Sequence, residues 1–318
     1  MTTVGFIGLG NVGSKLSGTL VRSGVTTIVL DSDPAAMAPL LEVGAQPASS
    51  PADLASRCEV IITCLPSPAI VAGVMESPDG VLAGMRPDTI WVEMSTTDSQ
   101  EVIRLSKLVE EKHGYAADAP VSGGCHRAAT GNISIFAGCD RATFERLLPL
   151  LSVMGRRVLH TGELGSASKL KVMTNYLATA NLVAVTEALA ACAKVGLDLG
   201  VAYEAIAASS GTSFVHETEG QVILNGSRDI NFTMDLVKKD VGLFISMAAE
   251  AGMQLELADL VAGIFDDGIE RYGPREWSPN IIRRLEDDYG IDVVAPGFPA
   301  EMVDTEPEEL GGEIRVRR

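Results

Sequence analysis

The chain has 318 residues, 46% of them apolar, and a formal charge of −17. That length and apolar content suit about two globular domains with separate cores, and exclude a disordered or fibrous chain. An acidic surface repels phosphate backbones and anionic headgroups, so neither nucleic acid nor a membrane is an expected partner.

Short apolar runs alternate with helical patterns through the first half. Strands are predicted at residues 4–7, 27–30, 60–65, 89–92, 115–117, 133–137 and 158–160. Helical periodicity lies between them, as at residues 12–23 and 100–112, with Gly24, Gly44 and Gly114 where helix C-caps belong. Such alternation predicts an α/β domain, a mainly parallel sheet with helices on both faces. The pattern changes near Gly162. Helices are predicted at residues 168–196, 201–209, 213–224, 233–250 and 256–271, with no strand among them. The first is apolar over residues 170–195, but Lys171, Asn175, Asn181 and Glu187 interrupt it, so it reads as a buried helix and not a span. Beyond Pro274 the chain is rich in proline and acid, and residues 310–318 read as frayed with an Arg-rich end. The expected division is residues 1–163, an all-helical domain at 164–295, and an acidic, partly disordered tail at 296–318.

The five cysteines, Cys58, Cys64, Cys125, Cys139 and Cys192, are odd in number and scattered, with no C-x-x-C. They read as reduced thiols of a cytoplasmic protein, and the first residues show no basic region or cleavage pattern. The four histidines have no paired-ligand spacing, so no bound metal is expected.

Gly8-Leu9-Gly10-Asn11-Val12-Gly13 follows the first strand and opens a helix. Gly8 permits the tight turn, Gly10 lets backbone approach a pyrophosphate, and Gly13 lets helix and strand pack closely. The helix N-terminus offers N–H groups and a positive dipole to the phosphates. Asp31 ends the second strand, at the distance where a carboxylate meets the adenosine ribose. Ser32 and Asp33 follow, with no arginine for a 2′-phosphate, so NAD is favoured over NADP. The alternative role for Asp31 is a helix cap. Leu65-Pro66 and Ser95-Thr96 follow later strands and are also expected to face the cofactor, Ser95 and Thr96 alternatively capping the helix near Asp98. The whole describes a Rossmann-type NAD(P)-binding domain.

Ser122-Gly123-Gly124 supplies a hydroxyl and open N–H groups, suitable donors to a carboxylate, although such residues also make ordinary turns. Further on, Lys171 and Asn175 are four residues apart and share a helix face that continues through Ala178 and Leu182. Lys169 points elsewhere. An ammonium on an apolar face is costly unless it is used or paired, whereas most lysines simply snorkel to solvent.

In order, these segments resemble the β-hydroxyacid dehydrogenase family of the 6-phosphogluconate dehydrogenase superfamily, over about residues 4–271. The cofactor motif matches at Gly8, Gly10 and Gly13, and the substrate motif D-x-P-V-S-G-G at residues 118–124. The catalytic motif G-x-x-G-x-G-x-x-x-K-x-x-x-N matches at Gly162, Gly165, Lys171 and Asn175, and a later lysine–aspartate pair at Lys239 and Asp240, with Phe232 and Leu236 before it. The resemblance implies an NAD(P) domain, then an all-α domain joined by a long interdomain helix, an active site in the cleft between them, and a homodimer or higher homo-oligomer. It implies hydride transfer from a small anionic β-hydroxyacid, 3-hydroxyisobutyrate-like, with Lys171 as general acid/base. Ser122, Gly123, Gly124 and Asn175 would hold the substrate, Ser122 and Asn175 as part of the catalytic set; Lys239 would close the site and Thr96 would touch the cofactor. Ala167 departs from the family pattern where it has glycine, and Val12 where methionine is common. Cys125-His126-Arg127-Ala128 stands where small residues are usual; Arg127 would bind a second anionic group if it points inward, and is otherwise a surface arginine. The same fold also hosts imine reductases, which commonly carry aspartate or tyrosine in place of Lys171, and inert relatives that lack the lysine.

Overall fold

A computed structural model describes residues 2–316. It divides into two compact units, one holding the chain up to Lys171 together with the stretch from Asp304 onward, the other Val172–Val303.

The first unit is built on one sheet. Its strands are β1 (Thr3–Ile7), β2 (Thr26–Leu30), β3 (Gln46–Pro47), β4 (Val60–Thr63), β5 (Ile90–Glu93), β6 (Tyr115–Asp118), β7 (Val121–Ser122), β8 (Ile133–Gly138), β9 (Gly155–Gly162) and β10 (Gly312–Glu313). They lie in the order β10-β9-β8-β6-β5-β4-β1-β2-β3, with β7 against β8. All pairings are parallel except β6 with β8 and β7 with β8. The intervening helices are α1 (Gly13–Arg22), α2 (Pro34–Glu42), α3 (Pro51–Arg57), α4 (Pro68–Glu76), α5 (Val81–Gly84), α6 (Ser99–Glu111), α7 (Gly124–Thr130) and α8 (Arg141–Met154). Helices cover both faces, so the central strands are continuous apolar runs whose neighbours enter opposite cores. Phe6, Ile62 and Val92 pack on one side, and Ile7, Ile61 and Trp91 on the other. The chain runs from β1 to β2 on one flank and to β4 on the other, which makes the carboxyl ends of β1 and β4 the switch point where such sheets bind ligands.

Helix α9 (Ser166–Lys194) leads into the second unit, which continues with α10 (Leu199–Ala207), α11 (Phe214–Asn225), α12 (Met234–Glu250), α13 (Glu256–Tyr272) and α14 (Arg283–Tyr289). Its core gathers Leu182, Leu189, Ile223, Val237, Val241, Val261 and Phe265. Each such side chain contributes about 1.5–3 kcal/mol by leaving water. Among the described residues α9 is the one helix long and apolar enough to cross a membrane; Leu182, Val183, Val185, Leu189 and Ala190 bury that apolarity in this core.

Several boundaries differ from the sequence expectation. β4 stops at Thr63, so Cys64 and Leu65 belong to the loop. α8 runs through Pro149, which sits inside the helix without ending it. After α6 the left-handed residue is His113, with φ 58°, and not Gly114. A Cβ at Gly114 would lie 2.9 Å from the Thr89 carbonyl oxygen, so close approach is what requires that glycine. The largest difference is the C-terminal stretch. Instead of trailing loosely, it adds β10 parallel to β9, covering a sheet edge. Its acids have partners: Glu313 meets Arg141 at 2.6 Å and Glu309 meets Arg156 at 2.7 Å. Positions 317 and 318 of the Arg-rich end lie outside the described residues.

Candidate active site

The chain leaves β1 and turns at Gly8, where φ is 96°. A Cβ at Gly8 would stand 2.3 Å from the Cys64 carbonyl oxygen, and one at Gly13 would stand 2.0 Å from the Gly8 carbonyl oxygen. Neither position admits a side chain. Gly10 is different, for nothing comes within 4 Å of where its Cβ would be. Val12 occupies the N-cap of α1 and makes no side-chain hydrogen bond there. Gly10 and Asn11 are thus exposed just before a helix start, the position a pyrophosphate needs. The residues fit a dinucleotide.

Asp31, just after β2, accepts hydrogen bonds from the Leu9 N–H at 2.6 Å and the Asp33 N–H at 2.9 Å. The cap of α2 is Asp33, which accepts from the Ala35 N–H, so capping is not the role of Asp31. Instead Asp31 ties the glycine turn to the end of β2, with Ser32 exposed beside it. Leu65 and Pro66 follow β4, and the Leu65 N–H donates to Ser95 Oγ at 2.8 Å. Asp98 caps α6. Ser95 therefore joins two loops, and Thr96 follows it half-buried.

In the loop predicted to meet the substrate, Ser122 ends β7 while Gly123 and Gly124 take left-handed conformations, φ 129° and 86°. The nearby Asp118 is buried, and its carboxylate accepts from the N–H groups of Gly165 at 2.8 Å and Ser168 at 2.6 Å. It anchors the first turn of α9. Burial raises its carboxyl from its ordinary value, although both N–H groups oppose that. In the second turn of α9, Lys171 is only 8% exposed, whereas Lys169 is exposed. Ala167 is fully buried, so the methyl that replaces the family glycine is accommodated.

In the second unit Asn175, Lys239 and Asp240 form a cluster. Asn175 Nδ2 donates to Asp240 Oδ2 at 2.6 Å, and the Lys239 ammonium lies 2.8 Å from Asp240 Oδ1. Asp240 is 1% exposed, so this carboxylate fixes both polar side chains at once. Tyr176 stacks on Phe244 with centroids 4.0 Å apart, packing the α9–α12 seam beside it. Phe298 of the tail packs edge-on against Tyr203.

Arg127 is a partnered, part-buried side chain. Its Nη2 pairs with Glu306 at 2.9 Å. Its stem lies against Gly123, whose Cβ would be 3.3 Å from Arg127 Cδ. Asp304 accepts from Asn132 Nδ2 at 2.7 Å and from Thr130 Oγ1. The C-terminal stretch thus grips α7, directly behind the Ser-Gly-Gly loop.

Three carboxylates were not assigned these jobs from sequence: Glu93, Asp118 and Asp240. The available signal was a charge ending a buried apolar run, as in Ile90-Trp91-Val92-Glu93.

Residues 3–162 match a family model described as the NAD binding domain of 6-phosphogluconate dehydrogenase, and residues 165–285 one described as NAD-binding of NADP-dependent 3-hydroxyisobutyrate dehydrogenase. A 2-(hydroxymethyl)glutarate dehydrogenase from Eubacterium barkeri is 33% identical over 291 residues, 91% of this chain and 97% of the relative. The mitochondrial 3-hydroxyisobutyrate dehydrogenase of Rattus norvegicus is 32% identical over 271 residues, 83% of this chain and 81% of the relative. A crystal structure of 3-hydroxyisobutyrate dehydrogenase from Salmonella typhimurium aligns with TM-score 0.83 and 28% identity, covering 89% of this chain and 100% of that one.

Proposed function

Because the chain belongs to the β-hydroxyacid dehydrogenase family, we propose that this NAD(P)-dependent hydroxyacid dehydrogenase oxidises a small 3-hydroxyisobutyrate-like acid, with NAD as hydride acceptor and Lys171 as general acid/base. The observation that carries the reading is Lys171 itself, an almost fully buried lysine one helical turn from Asn175.

Oxidation removes a proton from the hydroxyl and a hydride from its carbon. Bound at the Gly8–Gly13 turn, Asp31, Leu65, Pro66 and Thr96, the nicotinamide cofactor supplies the hydride acceptor. The Lys171 amine takes the hydroxyl proton and returns it in the reverse reduction. Asn175, held by Asp240, hydrogen-bonds the reacting hydroxyl. Ser122, Gly123 and Gly124 orient the carboxylate, and Lys239 adds a positive charge for it. Preference for NAD rests on Asp31, whose carboxylate repels a 2′-phosphate. Arg127 is engaged by Glu306, which favours one carboxylate on the substrate over two.

Homo-oligomerisation is part of the proposal, supported by exposed apolar side chains on α9 (Met173, Leu177) and α13 (Leu257, Leu260). A reducing, cytoplasmic setting is supported by five cysteines that form no disulfide among the described residues.

The test is a panel of β-hydroxyacids, assayed for nicotinamide reduction with NAD and with NADP. It includes 3-hydroxyisobutyrate, serine, a glycerate-like acid and the dicarboxylate 2-(hydroxymethyl)glutarate. The reading expects the fastest rate with a monocarboxylate and NAD. A dicarboxylate optimum would overturn the part assigned to Arg127, and an NADP optimum the part assigned to Asp31.

A further inference from the structure

A carboxylate is an unusual end for a strand buried on both faces. All four residues of β5 are buried, and Glu93 has no exposed surface. A buried carboxylate is costly unless it is hydrogen-bonded, so its partners show what it is for. Glu93 Oε2 accepts from Thr63 Oγ1 at 2.6 Å, and Oε1 accepts from the Ser95 N–H at 2.7 Å. Thr63 Oγ1 itself accepts from Trp91 Nε1 at 2.9 Å. Ser95 Oγ then accepts from the Leu65 N–H at 2.8 Å. The contacts close a ring from the end of β4, through Glu93 and Ser95, back to the loop after β4. Inside that ring is Cys64, whose carbonyl oxygen stands 2.3 Å from where a Gly8 Cβ would be. Its position sets how near the glycine turn can come.

We infer that Glu93 is a positioning residue of the cofactor site: its carboxylate holds the loops after β4 and β5 in register, and through Cys64 fixes the seat of the Gly8 turn. The inference rests on the reading that this turn binds NAD(P).

The hydrogen bonds suit an ionised carboxylate, since both neighbours donate to it. A proton on Oε2 would require the Thr63 hydroxyl to turn around while still accepting from Trp91. Burial pushes the Glu93 carboxyl up to about 7, against the hydrogen bonds from Ser95 and Thr63, with the negative charge of Asp118 adding to the rise. Asp118 is its register partner on β6, and its partners on β4, β5 and the following loop are neutral. Loop geometry therefore changes with protonation near neutral pH.

The test is titration of NADH, followed by its fluorescence, across a pH unit on either side of this value, with thermal unfolding in parallel. In the wild type the Kd should rise several-fold as pH falls through about 7. Glu93→Gln should weaken NADH about ten-fold above that pH, the loss of a hydrogen bond to a charged group, and make the profile flat. Ser95→Ala, which keeps the carboxylate but cuts the link to Leu65, should weaken NADH similarly, and serves if Glu93→Gln does not fold. Wild-type Kd in these variants, with only the unfolding temperature lowered, would overturn the inference and leave NAD(P) binding intact. A wild-type protein that binds neither NADH nor NADPH would overturn both.

Discussion

The two units use carboxylates for different ends. In the first, Asp31 after β2, Glu93 at the end of β5 and Asp118 at the end of β6 each fold back to hold backbone N–H groups: Leu9, Ser95, and Gly165 with Ser168. In the second, Asp240 on α12 holds side chains, the Asn175 amide and the Lys239 ammonium. Strand ends leave loops whose backbone must be shaped, and a dinucleotide is read by backbone. Helix faces present side chains whose direction must be fixed, and proton transfer needs them within about 0.5 Å of a productive geometry. Carboxylates of the first kind should govern cofactor affinity and stability, and the second should govern turnover.

The sharpest way to break that contrast is Asp240→Asn. It keeps the shape but removes the charge that faces Lys239 and forces the Asn175 amide to compete for a partner. Turnover should fall by about ten-fold or more, while NADH affinity stays at the wild-type value in a fluorescence titration. Equal losses in both would mean that Asp240 only supports the fold. Asp31→Ala should do the reverse. Relative kcat/KM for NAD over NADP should fall about ten-fold, the size of one charged contact, with little change in the KM of the acid.

A smaller effect follows from pH. Glu93 has its ordinary value near 4.5 in an unfolded chain and about 7 when folded, so the folded protein holds this proton more tightly. Its contribution to stability is fully present below 4.5 and is lost as pH rises through 7. Asp118 shifts in the same direction. The unfolding temperature should therefore decline as pH rises through this window, and Glu93→Gln should remove part of the decline. A temperature that climbs through the window would contradict the burial of these groups. The same ionised Glu93 that costs stability is the form that suits the cofactor loops. Smallest of all is Glu306→Gln, which weakens the hold on Arg127 behind Gly123. A partly solvated ion pair like this one is worth about 1 kcal/mol, so the KM for the acid should rise no more than about five-fold, with NADH affinity unmoved.

The glycine turn, the place of Asp31 at the end of β2 and the long helices of the second unit were legible because their signals are local. Spacing marked the turn, and sustained periodicity marked α9, α11, α12 and α13 to within a few residues. What escaped depended on distant partners. Glu93 acts through Thr63, thirty residues earlier in the chain, and Asp240 through Asn175, sixty-five residues earlier. Motif letters flagged Asp118 and Asp240 without saying what they hold. The tail was misread for a physical reason: Asp304, Glu306, Glu309 and Glu313 look like solvated acid until Asn132, Arg127, Arg156 and Arg141 are placed opposite them.

The most direct test of the catalytic assignment is Lys171→Ala, measured for kcat with the best acid of the panel and for NADH affinity by titration. The account predicts a loss of turnover of about 10²–10⁴-fold, the range of general acid–base catalysis, with NADH affinity unchanged. Wild-type turnover in that variant would contradict it.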